Sequence, residues 1–83
     1  MIPVSEPQLL GRESEYVTRC LQTGWISSSG TFIQQFEEAW SQYCGKQYGV
    51  SVCNGTVALQ AAVAALELKE NDEVIMPTFT IIS

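Results

Sequence analysis

Residues 48–76 read strand, helix, strand, and no other feature narrows the fold of this chain as far. Tyr48 to Cys53 is a short apolar and β-branched run. Val57 to Leu66 is Ala-rich and strongly helical, and Glu73-Val74-Ile75-Met76 is a second apolar run stopped by Pro77. Between helix and second run, Lys69-Glu70-Asn71-Asp72 supplies a polar turn. Strand, helix and strand within ~30 residues make a βαβ unit. That unit implies a parallel sheet and a right-handed crossover. The expected class is therefore α/β. Leu59, Ala62, Val63 and Leu66 form the stripe expected to be buried, with alanines permitting close packing on a sheet.

The first strand passes into the helix through Asn54-Gly55-Thr56. The leading amides of a helix lack intrahelical acceptors and carry the positive end of the macrodipole, so such a junction can hold a phosphate without a basic side chain. Gly55 leaves room for close backbone approach. Thr56 adds a hydroxyl. The same residues also fit an ordinary capped turn, with Asn54 or Thr56 as the cap. They form an N-glycosylation triplet as well, but no secretory signal accompanies it.

Upstream, residues 1–8 hold Pro3 and Pro7 without periodicity and read as an extended arm. From Leu9 or Leu10 to Thr23, Leu10, Tyr16, Val17, Cys20 and Leu21 share one helical face, with Gly24 as C-terminal cap. Gly24-Trp25-Ile26-Ser27-Ser28-Ser29-Gly30 has loop composition. Trp25 there is either a ligand platform or a plug onto the core. The serines serve a ligand or their own backbone. Thr31 can cap a second helix in which Phe32, Ile33, Phe36, Trp40, Tyr43 and Cys44 form an aromatic stripe expected to be core, ended by Gly45. Glu37 and Glu38 point about 100° apart on a helix and read as a solvated face rather than an acid–base pair.

With 83 residues the chain makes at most one small domain. Four Lys+Arg against nine Asp+Glu leave a net charge of -5. Arg12, Arg19, Lys46 and Lys69 are scattered, which argues against nucleic acid as a partner. No signal peptide or spanning segment is visible, so neither secretion nor a membrane is expected. The three cysteines, Cys20, Cys44 and Cys53, are widely spaced and no histidine is present. A disulfide framework and the usual zinc sites are not expected. The cysteines read as reduced, mostly buried thiols of a cytoplasmic protein. Without histidine, catalysis must come from other residues or a cofactor.

Five short signatures then coincide in order: Ile2-Pro3-Val4 with Glu6-Pro7; Thr23-Gly24-Trp25-Ile26-Ser27-Ser28 followed by Gly30; Phe36-Glu37; Asn54-Gly55-Thr56 with Ala58-Leu59; and Asp72-Glu73-Val74-Ile75 with Pro77-Thr78-Phe79-Thr80. Together they resemble the N-terminal segment of the DegT/StrS class of pyridoxal-phosphate-dependent nucleotide-sugar aminotransferases, of the perosamine synthetase-like kind. The resemblance implies the N-terminal part of a fold type I aminotransferase, with an incomplete sheet. Residues 1–83 would form one partial domain: arm 1–8, helical part 9–45 and β-α-β part 46–83 of the pyridoxal-phosphate domain.

By the same resemblance, Gly55 and Thr56 meet the phosphate of pyridoxal phosphate, Thr80 and Ile81 sit beside its pyridine ring, and Trp25 and Ser27 face cofactor or sugar. Ile81 stands where many relatives carry a stacking aromatic, a loss of about 0.5 to 1.5 kcal/mol. The family's partners are a nucleotide-linked keto sugar and an amino donor such as glutamate, and its members assemble as dimers, so a homo-oligomer is expected. The Schiff-base lysine, the aspartate on the pyridinium nitrogen and a later phosphate-binding serine lie downstream in the family. Lys46 and Lys69 match neither its position nor its context. No catalytic residue is therefore assigned, and the 83 residues read as a fragment, inactive alone. The two strands are not neighbours in a fold type I sheet, which leaves unpaired edges. Rival readings are a non-catalytic self-association module and a generic phosphate or nucleotide binder.

Overall fold

The computed structural model describes residues 1–81; Ile82 and Ser83, at the end of the run after Pro77, lie outside the described residues. Three helices form: α1 Glu13–Thr23, α2 Thr31–Tyr43 and α3 Gly55–Ala65. The chain divides into two compact units, Met1–Gly49 with α1 and α2, and the residues from Val50 onward with α3.

In the first unit α1 starts at Glu13, later than the apolar pattern suggests, because Leu9 to Gly11 lack a capping side chain and Arg12 is the N-cap residue. Glu13 and Glu15 place negative charge in the first turn, where the helix dipole favours it. Arg12 Nε and Nη2 donate to Glu15 Oε2 and Oε1 at 2.8 and 2.7 Å, and the Arg12 guanidinium lies 5.0 Å from the Tyr16 ring centre. Gly24 ends the helix at φ 75°, a left-handed position that favours glycine.

Gly30, with no side-chain cap, precedes α2, so Thr31 is its first residue rather than its cap. At the Phe32 ring α1 meets α2. The Tyr16 and Phe32 rings meet at 5.0 Å, and the Arg19 guanidinium stands 5.7 Å from the Phe32 ring centre. The end of α2 is a Schellman arrangement: Gly45 N–H donates to Gln42 O at 3.0 Å and Lys46 N–H to Ser41 O at 2.8 Å, with Gly45 at φ 63°. Past that turn the backbone passes over α2 at Gly49.

The aromatic stripe of α2 forms at its expected three- and four-residue spacing. Phe36 and Trp40 stack at 6.2 Å, and Trp40 and Tyr43 at 5.8 Å. It is not core. Phe36, Trp40 and Tyr43 are 56%, 55% and 84% exposed. No hydrophobic side chain is buried among the described residues, and Ser41 alone falls in the buried class, at 8%. Its hydroxyl donates back to Glu38 O at 3.0 Å. Exposure of the stripe follows from the partners available: a helix buries its apolar face only against another element, and here α1 flanks the Phe32–Phe36 part of it while Trp40 and Tyr43 stay uncovered.

In the second unit α3 begins at Gly55, two residues earlier than the Ala-rich run, because Asn54 caps it. The helix ends at Ala65 with Leu66 as its C-cap, and Glu67 follows at φ 49°, a left-handed position without glycine. Leu59, Val63 and Leu66, expected to be buried, are exposed. The turn 69–72 closes as read, with Asp72 N–H donating to Lys69 O at 3.1 Å and Lys69 N–H to the Asp72 carboxylate at 2.7 Å.

The two expected strands do not form. Among the described residues Tyr48–Cys53 and Glu73–Met76 carry no strand, so the β-α-β unit lacks both of its edges. A strand exists through a ladder with its neighbour. Apolar composition makes these runs fit for a sheet, but neither run has a ladder partner among the described residues.

Candidate functional site

Six residues carry the expected site, and the structure describes them in two groups. Gly55 and Thr56 open α3, with Thr80 and Ile81 in the same unit; Trp25 and Ser27 belong to the first unit.

At the start of α3 the Asn54 side chain decides which amides remain available. Its Oδ1 accepts from Val57 N–H at 2.9 Å, and Ala58 N–H donates to Asn54 O at 3.1 Å. The choice between Asn54 and Thr56 as cap is thereby settled for Asn54. The amides of Gly55 and Thr56 precede the first intrahelical bond and have no acceptor in the helix. A Cβ added to Gly55 would meet nothing within 4 Å, so no neighbouring atom crowds that position. Two amides and the positive end of a helix dipole suit phosphate oxygens. The residues at this junction therefore fit the phosphate end of a cofactor such as pyridoxal phosphate. Cys53, just before the cap, accepts a long 3.6 Å contact from Asn54 Nδ2, which helps set the cap side chain.

Thr80 and Ile81 lie in the irregular stretch after Pro77, and both are exposed. No hydrogen bond or ring contact of the described residues ties them to Gly55 or Thr56. The sequence linked these four through resemblance, and the structure leaves them as two separate pairs.

Trp25 and Ser27 do come together. They line one cleft of about 440 Å³, with Arg19, Thr23 and Gln35 among its other walls. Trp25 sits at the centre of a tight turn in which Ile26 N–H donates to Gly24 O at 3.1 Å. At 57% exposure it is a wall of the cleft rather than a plug onto a core. The Ser27 hydroxyl is engaged with its own loop: it donates to Ser29 O at 3.3 Å and stands 3.3 Å from Ser29 N–H. A ligand at Ser27 must compete with that local turn.

Thr23 belongs to the Thr23–Ser28 signature that the resemblance places near the active site, whereas Arg19 and Gln35 as cleft walls were missed by sequence reasoning. For Arg19 a signal was present, since it stands one helical turn before Thr23 on α1; in the structure Thr23 Oγ1 donates to Arg19 O at 2.8 Å. Arg19 therefore brings a cation to a cleft otherwise built from hydroxyls, apolar groups and an amide. Lys46 does not line this cleft.

Among the free thiols Cys20, Cys44 and Cys53, Cys44 and Cys53 are exposed and Cys20 half-buried, which corrects the expectation of mostly buried cysteines. Among the described residues no cluster of His, Cys, Asp and Glu is suited to a metal, and no helix is long and apolar enough to cross a membrane.

Comparison with known proteins decides what these fragments of a site belong to. The model of the DegT/DnrJ/EryC1/StrS aminotransferase family matches residues 7–83. The chain belongs to this family. It is 51% identical over 82 residues to a GDP-perosamine synthase of Escherichia coli, covering 99% of the chain and 22% of that enzyme. A GDP-perosamine synthase of Vibrio cholerae is 45% identical over 83 residues, which is 100% of the chain and 23% of the enzyme. A putative pyridoxal phosphate-dependent aminotransferase of Bacillus subtilis is 33% identical over 82 residues, 99% of the chain and 21% of that protein. The chain thus spans less than a quarter of the length of these curated relatives. No solved structure matches it significantly. Membership of the aminotransferase family accounts for the sequence signatures, including those in stretches that here carry no strand.

Proposed function

We propose that these residues supply part of a pyridoxal-phosphate-dependent aminotransferase that aminates a nucleotide-linked keto sugar for surface polysaccharide or antibiotic-sugar synthesis. The observation that carries this reading is the 51% identity to a GDP-perosamine synthase across 82 residues, rather than at one motif. The open, Asn54-capped start of α3 supports it physically, because that junction offers amides where the cofactor phosphate needs donors.

In this reading Gly55 and Thr56 bind the phosphate, and Asn54 holds the helix end in register by occupying the third amide. Thr80 and Ile81 contact the pyridine ring, Ile81 through apolar packing alone. Trp25 and Ser27 orient the sugar, with Trp25 offering a flat face to the ring of the sugar. When bound, pyridoxal phosphate supplies the electron sink for amino-group transfer. The amino donor is glutamate or a similar amino acid. The working form is a homo-oligomer in the cytoplasm. Lys46 and Lys69 have no part in the chemistry, so the 83 residues alone do not transaminate.

An amide NMR spectrum of the labelled chain, recorded with and without pyridoxal phosphate, tests the reading. Shifts concentrated at Gly55 and Thr56 are expected. Dispersed peaks that ignore the cofactor, or absorbance of a lysine-linked cofactor that disappears on replacing Lys46 and Lys69, would overturn the assignment.

A second reading, a non-catalytic self-association module, is favoured by one observation: Phe36, Trp40 and Tyr43 form a stacked stripe that stays exposed. A generic phosphate binder would instead prefer nucleotides over pyridoxal phosphate in the same titration.

A further inference from the structure

We draw no further inference here: the strongest candidate, the apolar groove between α1 and α2 walled by Tyr16, Leu21, Ile26, Phe32 and Phe36, is an unpartnered face, and nothing in the structure shows what covers it.

Discussion

Gly49 crosses α2 so closely at Glu37 that a Cβ on it would lie 2.6 Å from the Glu37 carbonyl oxygen and 3.3 Å from the Ser41 Cβ. The requirement here is space. Gly24 and Gly45 are the glycines held at positive φ, whereas Gly49 is not among them. The nearest obstacle is helix backbone, which cannot swing aside as a side chain would.

Gly49→Ala should therefore lift the segment 47–49 off α2 and expose Ser41. Overpacking of this kind costs about 1–3 kcal/mol. The expected result is a lower urea midpoint with an unchanged slope, together with faster amide exchange at Ser41. A variant as stable as the parent would show that the segment yields to a methyl group at Gly49 without loss.

The cap of α3 makes a second, separable prediction. Removing the Asn54 side chain frees the Val57 amide, and losing such a cap costs about 1 kcal/mol. Asn54→Ala should lose helical signal at residues 55–58 in carbon chemical shifts, and Asn54→Asp should keep it because a carboxylate oxygen accepts the same bond. On the proposed cofactor role of this junction, Asn54→Ala also weakens the response of Gly55 and Thr56 to pyridoxal phosphate.

These two residues show what the sequence carried and what it did not. Helix signals are local, so Gly24 at the end of α1, Gly45 at the end of α2 and the Asn54-Gly55-Thr56 start of α3 were legible from residue type and spacing. Starting points were less so: Arg12, which precedes α1, is a poor cap, and Gly30, an acceptable cap before α2, has no side chain to mark the start beside the better-ranked candidate Thr31. Burial and strand pairing are not local. Tyr48–Cys53 and Glu73–Met76 have the composition of strands, but a ladder needs a neighbour, and Trp40 has the spacing of a core residue without an element to cover it. Site residues divide in the same way. The amides of Gly55 and Thr56 follow from a local turn, whereas the part of Arg19 in the cleft with Trp25 depends on how α1 meets the following loop.

At the start of α1 the Arg12–Glu15 pair gives a pH prediction. The Arg12 hydrogen bonds hold the Glu15 carboxyl below its ordinary value; desolvation opposes this, and the charges of Arg12 and Arg19 add to it. A depressed folded value means that the contribution is present above the ordinary carboxylate pKa and is lost as pH falls through the lowered one. Both side chains are exposed, so the effect on stability is small. Carbon NMR of the Glu15 carboxyl should show its midpoint rising in Arg12→Gln. An unmoved midpoint would mean that the pair does not persist in solution.

Tryptophan emission tests the exposure of the aromatic stripe directly. Trp25 and Trp40 are the chain's two tryptophans, and both are more than half exposed. Indole emission shifts to the blue when water is excluded from the ring, so the folded chain at low concentration should emit close to the wavelength of the urea-unfolded chain. Trp40 stands between Phe36 and Tyr43, and a surface laid on that stripe removes water from all three rings together. A blue shift that grows with protein concentration, and that Trp40→Phe abolishes while Trp25→Phe does not, would place the covering surface on α2 and on another copy of the chain. Emission that stays red at every concentration, with Trp40→Phe and Trp25→Phe behaving alike, would leave the stripe uncovered in this chain and remove the single observation that favours self-association.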